Sequence, residues 1–241
     1  MNLIIIIQAR VGSSRLPGKV LMPLGNTTVL DYVVSRCKKI KFAKKVIVAT
    51  STLSQDQQIE DWCMENEVPC FRGSEKDVLD RYYSCANEYS PDYVMRVTSD
   101  CPFVDFHLAN EIVDKMLENP SDYIKVNGDL PRGLVVELFS FQALAYIHRN
   151  GKQLRHREHV TYYGYEYSDE FNYTNFLVNE SMNHPQLRIT LDTKEDYLLL
   201  TNIASHFSDN KWIPSTEIIE YLLKHPDVAR LNAHIEQKPV V

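Results

Sequence analysis

At 241 residues, with 44% hydrophobic and 24% charged side chains, the chain is long enough for a large core and ordinary for a soluble globular protein. A net charge of −6 argues against nucleic acid as partner, because that affinity rests on neutralising phosphates. No apolar stretch reaches membrane-spanning length, the opening isoleucines lack the cationic leader of a signal peptide, and five cysteines without a Cys-x-x-Cys pair suit reduced thiols in the cytoplasm.

Residues 4–7 are four consecutive isoleucines, which read as a strand buried on both faces in the middle of a parallel sheet. The strand gives way at Gln8 to a loop with Gly12, Ser13, Ser14, Pro17 and Gly18. Residues 28–39 carry apolar side chains at helical spacing, and 45–49 read as a second buried strand. A helix over 55–67, a short strand over 68–71, a helix over 75–89 and a strand over 93–97 follow. A helix over 108–117 and a strand over 123–126 complete an alternating βα order. That order predicts a doubly wound, mostly parallel sheet with helices on both faces.

The second half departs from this rhythm. Residues 133–139 read as a short strand leading into a helix to about residue 149, and 155–166 are basic, then aromatic. A run of tyrosines and phenylalanines from Tyr162 to Phe176 suits core or a dimer interface, 187–191 read as a strand, and helices continue to residue 231. No repeat or linker divides the chain, so the expectation is one domain over 1–241, with an embedded extension at about 127–180 for sugar binding or dimerisation.

The first loop carries the strongest chemical signal. Arg10, Arg15 and Lys19 surround its glycines and serines at the carboxyl end of a buried strand, where backbone N–H groups converge on an anion. Nine Lys or Arg against one acid, Asp31, lie in the first 45 residues, although the excess over 38–45 suits a solvated helix end. The spacing excludes a Walker A loop: five residues separate Gly12 from Gly18-Lys19, and Val20 stands where the metal-binding hydroxyl belongs. Gly-x-Gly-x-x-Gly is absent, which removes the dinucleotide fingerprint.

The ordered pattern Gln-Ala-Arg-x-Gly-Ser-x-Arg-Leu-Pro-Gly-Lys over 8–19 resembles the opening signature of the cytidylyltransferases that activate acidic sugars such as ketodeoxyoctonate and sialic acids. It is most similar to the spore coat polysaccharide (SpsF-type) branch. The resemblance implies a nucleotidyltransferase fold and a Mg2+-dependent transfer of CMP from CTP to an acidic sugar, with pyrophosphate released. It also implies a homodimer formed through the extension. It assigns the triphosphate to Gln8, Ala9, Arg10, Gly12, Ser13, Ser14, Arg15 and Lys19, and catalysis to Arg10, Arg15, Lys19 and Asp100.

Asp100 lies just past a predicted strand end, where open α/β sheets place ligands, and Arg96-Val-Thr-Ser-Asp-Cys-Pro102 matches the family's metal-bearing segment. Asp100 is therefore a metal candidate beside Ser99, with an Asp-x-Pro turn as the plain reading. Asp192 opens Asp-Thr-Lys-Glu-Asp196, which resembles the family's second metal segment, yet Asp192 or Thr193 equally suits a helix cap. Arg72 and Gly73 fall in the segment resembling the nucleotide-recognition region, with Asp77 and Arg81 orienting ribose or sugar, or simply paired four apart on a helix. Ala49, Thr50 and Ser51 end the second strand on the same sheet edge and are expected to line the nucleotide pocket.

Glu137 is an acid within an apolar strand, costly to bury unless paired, and so a candidate for sugar binding, with alternation that turns it to solvent as the plain reading. Arg155 and Arg157, in Arg-His-Arg-Glu-His159, fit a basic clamp for a sugar carboxylate or a solvated helix face. Two alternatives stay open: a nucleotide-sugar-dependent glycosyltransferase, against which the absence of Asp-x-Asp counts, and a non-catalytic nucleotide-binding module.

Overall fold

A computed structural model describes residues 1–236. Its elements are β1 (Leu3–Gln8), the small hairpin β2 (Pro23–Leu24) and β3 (Thr27–Thr28), α1 (Val29–Cys37), β4 (Ala43–Ser51), α2 (Gln57–Glu65), β5 (Cys70–Gly73), α3 (Val78–Tyr89), β6 (Tyr93–Thr98) and α4 (Phe106–Glu118). They continue with β7 (Tyr123–Asn127), β8 (Glu137–Ser140), α5 (Phe141–Asn150), α6 (Leu154–Glu158), α7 (Tyr162–Glu166), β9 (Tyr173–Leu177), α8 (Lys194–His206), α9 (Ser215–Lys224) and α10 (Pro226–Ala229).

Seven strands form the main sheet in the order β5-β4-β1-β6-β8-β7-β9. Strands β5, β4, β1 and β6 are mutually parallel, β8 runs antiparallel to both neighbours, and β9 is parallel to β7. The mostly parallel, doubly wound expectation therefore holds.

The isoleucines of β1 explain why it takes the central place. Ile5 and Ile7 point into a core shared with α1, α2, α4, α8 and α9, whereas Ile4 and Ile6 point into a second core with α3, α5 and α7. All four are at most 1% exposed, so the strand is covered on both faces. From β1 the chain moves outward through β4 and β5 in one direction and reaches β6 on the other side. Ligands bind outside the carboxyl ends of parallel strands at such a reversal.

Three expectations are corrected. Residues 187–191 form no strand: a single bridge joins Arg188 to Arg132, the chain bends at Thr190, and the Leu191 N–H goes instead to the Asp100 carbonyl at 2.8 Å. The strand read over 133–139 begins only at Glu137, as β8, and Gly133 sits at φ +102°, outside extended backbone. The aromatic stretch contains an edge strand, β9, whose alternating exposure reflects one solvated face.

Candidate active site

A cleft of about 1020 Å³ opens where β1 and β6 end side by side. The loop after β1 forms one wall, Thr98 to Asp100 the floor, and the β7–β8 connection, with Leu130, Arg132 and Val135, the opposite wall.

The loop is shaped by its own backbone. Ser13 and Gly18 both donate their N–H to the Val11 carbonyl, at 2.8 and 3.0 Å. Gly18 turns the chain at φ +71°, a conformation that favours glycine. Val11 in turn donates its N–H to Asp56 Oδ1 at 2.7 Å. Asp56 is wholly buried, and its other oxygen accepts the Ser51 hydroxyl at the end of β4. Asp56 was not among the residues singled out from sequence; it stands outside every motif, in the turn before α2.

Behind the loop, Lys19 gathers the acids. Its Nζ lies 3.0 Å from Asp100 Oδ2 and 2.9 Å from Asp192 Oδ1, and it also donates to the Leu191 carbonyl. Arg15 reaches the same Asp192 Oδ1 at 3.1 Å. Burial works against the Lys19 charge, but Asp100 and Asp192 outweigh it and hold the ammonium above its ordinary range. Burial likewise opposes ionisation of Asp192, and Lys19, Arg15 and Arg188 reverse that, keeping its carboxyl below the usual value.

The cap question at Asp192 resolves cleanly. Thr193 caps α8 and forms a capping box with Asp196, so Asp192 is free to face the cleft. Its second oxygen, Oδ2, is held by Arg188 Nη2 at 2.7 Å. Arg188 is anchored in turn by the fully buried Asp196, at 2.9 Å from Nε, and Asn232 donates to Asp196 at 2.8 Å. The signal for Arg188 was present, since it stands four residues before Asp192.

On the far side of the floor, Glu137 pairs across the β6–β8 register with Arg96 and accepts the Thr161 hydroxyl at 2.7 Å. Burial alone would lower Arg96, yet the Glu137 charge holds it above its ordinary range. Arg96 also donates to Gln8 Oε1 at 3.3 Å. Val160, next to Thr161, is a buried β-branched residue at φ +43°. Such backbone costs on the order of 1–3 kcal/mol and persists only where its surroundings impose it.

The structure brings Gln8, Ala9, Arg10, Gly12, Ser13, Ser14, Arg15, Lys19, Arg81, Ser99, Asp100, Glu137 and Asp192 to the cleft. Arg10 meets Glu158 at 3.3 Å near the rim, and the buried Arg81 donates to the Ser74 carbonyl. Other residues singled out from sequence do not line it. Ala49, Thr50 and Ser51 are buried at the end of β4, and Gly73 packs on Arg81. Arg72 is engaged by Glu60 at 2.7 Å and by the Ser51 and Leu53 carbonyls. Asp77 caps α3 through the Asp80 N–H and pairs with Arg157, whose Nε lies at 2.8 Å, rather than with Arg81. Arg155 is closed on Glu166 at 2.7 Å. The basic clamp expected at Arg155 and Arg157 is therefore spent on internal acids. Two cleft cations were not among the site residues read from sequence: Arg96, paired with Glu137, and the exposed Arg132.

Among the described residues no three His, Cys, Asp or Glu side chains converge as a metal cage. Two carboxylates close enough to share one ammonium, beside a phosphate-type loop, still match the way a small hard cation is held: by one or two carboxylates, with phosphate and water completing the shell.

A glycine- and serine-bearing loop with three cations, facing two carboxylates at the switch point of an open sheet, is the arrangement expected of an enzyme that works on nucleotide phosphates. Residues 4–238 match the sequence profile of the family described as Cytidylyltransferase, and the chain belongs to that family; it is a nucleotidyltransferase. It is 34% identical to the spore coat polysaccharide biosynthesis protein SpsF of Bacillus subtilis (strain 168), over 95% of this chain and 97% of that one. A solved cytidylyltransferase from Leptospira borgpetersenii serovar Hardjo-bovis superposes with a TM-score of 0.90 at 32% identity, covering 99% of this chain and all of that one. The structure of a CMP:2-keto-3-deoxy-manno-octonic acid synthetase complexed with CTP shares the fold, with a TM-score of 0.67 over 86% of this chain at 15% identity.

Proposed function

We propose that the protein transfers CMP from CTP to an acidic sugar of the ulosonic class, releasing pyrophosphate, with Mg2+ held by Asp100 and Asp192. The observation that carries this reading is the meeting of Lys19, Asp100 and Asp192 behind the 9–18 loop. CTP and the acidic sugar as substrates draw on the likeness to the solved synthetase, a role in surface or spore coat polysaccharide on the likeness to the Bacillus relative.

In this reading Arg10, Arg15, Lys19 and the loop donors orient the triphosphate and spread the charge that develops on it. Losing one preorganised donor of this kind costs on the order of 3 kcal/mol of catalysis. Bound Mg2+ supplies Lewis-acid stabilisation at the phosphoryl oxygens. The sugar lies against Glu137, Arg96 and the 128–135 wall, where Arg132 is a cation available to its carboxylate. Attack by a sugar oxygen on the α-phosphorus forms the new P–O bond as the bond to pyrophosphate breaks. The sugar hydroxyl proton leaves to solvent or to a carboxylate at the site.

Two further readings accompany this one. The five cysteines are free thiols, which supports the cytoplasm. Exposed Tyr146, Tyr165, Tyr167, Tyr173 and Leu177, all in or beside the 127–180 extension, support a homodimer, which light scattering tests. The test of the activity is pyrophosphate release with four nucleoside triphosphates and a panel of acidic and neutral sugars. The expected result is turnover with CTP and an acidic sugar only. CTP binding without turnover on any sugar would return the protein to a binding module.

A further inference from the structure

We infer that Lys19 is a placeholder for the divalent cation: its ammonium occupies the two carboxylates until a triphosphate draws it away, so metal and nucleotide bind cooperatively. The inference rests on the proposed metal site and extends it to the state without nucleotide.

The carboxylate oxygens of the cluster differ in which cations hold them. Asp192 Oδ2 belongs to Arg188, which Asp196 and Asn232 fix from behind in buried surroundings. That contact has no reason to break. Asp192 Oδ1 and Asp100 Oδ2 are held differently, by Lys19 for both and by Arg15 for the former. Lys19 and Arg15 stand on the loop that is shaped to take phosphate. The atoms that a metal needs are therefore the ones whose present partners belong to the nucleotide.

Charge makes this arrangement a switch. Lys19, Arg15 and Arg188 balance Asp100, Asp192 and Asp196, leaving the cluster neutral. A dication entering alone must push a mostly buried ammonium off both partners and leave it uncompensated, which is unfavourable. A triphosphate reverses the balance. Lys19 and Arg15 turn to its oxygens, the two carboxylate oxygens fall free, and the same phosphates complete the cation's shell. Because linkage is reciprocal, whatever factor nucleotide adds to metal affinity, metal adds to nucleotide affinity.

The test is a Mn2+ titration of the full chain without nucleotide, read by the electron paramagnetic resonance of the free ion. Lys19→Met is expected to bind Mn2+ about tenfold more tightly than the wild type or better, within the usual range of coupling between sites. The gain should vanish in Lys19→Met/Asp192→Asn. Arg15→Gln, at a more exposed position, should gain a smaller factor and guards against misfolding of the lysine variant. As a second readout, Mn2+ should raise the melting temperature of Lys19→Met and leave that of the wild type unchanged. Equal affinity in wild type and both loop variants would overturn the placeholder role. The titration uses neither CTP nor sugar, so this failure is separable from that of the proposed activity. A gain that persists in the double variant would remove Asp192 from the metal site.

Discussion

The buried carboxylate of Asp56 holds the Val11 amide at 2.7 Å and so fixes the start of the loop after β1 to the end of β4. The contact spans 45 residues of sequence, and Asp56 is wholly buried. Asp56→Ala leaves the Val11 N–H and the Ser51 hydroxyl without an acceptor. Its expected cost is about 2–3 kcal/mol in a denaturant titration. Nucleotide affinity should weaken as well, because the turn centred on the Val11 carbonyl loses its anchor. Asp56→Asn keeps one acceptor oxygen and should lose less of both.

Stability should respond to pH at both ends through one ion cluster. The Asp192 carboxyl is held below its ordinary value of 3.8, so its contribution is present above that pH and fades as pH falls through the lowered value. The Lys19 ammonium is held above 10.5; its contribution is complete below that pH and fades as pH rises through the raised value. Asp192→Asn should flatten the acid limb of a urea-midpoint profile, and Lys19→Met the alkaline limb. An unchanged acid limb in Asp192→Asn would show that the pairs do not persist in solution.

Arg132, rather than Arg155 or Arg157, should govern the acceptor. Arg155→Ala and Arg157→Ala break contacts to Glu166 and Asp77 outside the cleft and are expected to leave the acceptor KM unchanged. Arg132→Ala removes an exposed cation from the cleft wall and should raise that KM at least about tenfold, the scale of a charge-assisted hydrogen bond. Its KM for CTP should stay the same. Steady-state kinetics with each substrate varied in turn decide it, and an acceptor KM that moves with Arg155 instead restores the clamp.

The contrast between Arg132 and Arg155 shows what sequence carries and what it leaves out. The isoleucines of β1, the loop from Gln8 to Lys19 and the place of Asp100 were legible because each depends on local pattern: burial on two faces, glycine spacing, a residue just past a strand end. Whether an arginine faces a cleft depends on which acids fold against it, and Glu166 and Asp77 take Arg155 and Arg157 for reasons no spacing reveals. The reversed direction of β8 was hidden in the same way, since alternation gives a strand's faces but not its neighbour's direction. Residues 187–191 had the composition of a strand, yet their hydrogen bonds go to Arg132 and Asp100.

Breaking the Glu137–Arg96 pair should be costly in proportion to its partial burial. The side chains are 19% and 17% exposed, between surface pairs worth up to about 1 kcal/mol and buried ones that cost 3–5 kcal/mol when one partner is removed. Glu137→Ala is expected to lose about 2 kcal/mol, measured by denaturant titration. It also frees Arg96 on the cleft floor and should alter the acceptor KM. Glu137→Gln keeps an acceptor for the Thr161 hydroxyl, so more of the stability should survive while the KM still shifts.

Two glycines of positive φ should answer the same substitution very differently. Gly18 lies at φ +71°, and an added Cβ would meet nothing within 4 Å. Gly18→Ala therefore incurs only the left-handed backbone penalty, about 1–2 kcal/mol. Gly133 lies at φ +102°, and its Cβ would come to 2.3 Å from the Ile189 carbonyl oxygen. That oxygen is backbone, tied into the segment that exchanges hydrogen bonds with Arg132: Ile189 N–H donates to the Arg132 carbonyl at 2.7 Å and Arg132 N–H to Leu187 at 3.2 Å. Gly133→Ala must push this segment away, at an expected cost of about 3 kcal/mol or more. The same segment ends in Asp192, so the displacement reaches the carboxylate that Lys19 and Arg188 hold. Activity of Gly133→Ala should consequently fall further than its folded fraction, whereas Gly18→Ala should keep its ion cluster. Melting curves and kinetics taken well below both transitions separate the two effects, and equal losses in the two variants would contradict the coupling of Gly133 to Asp192.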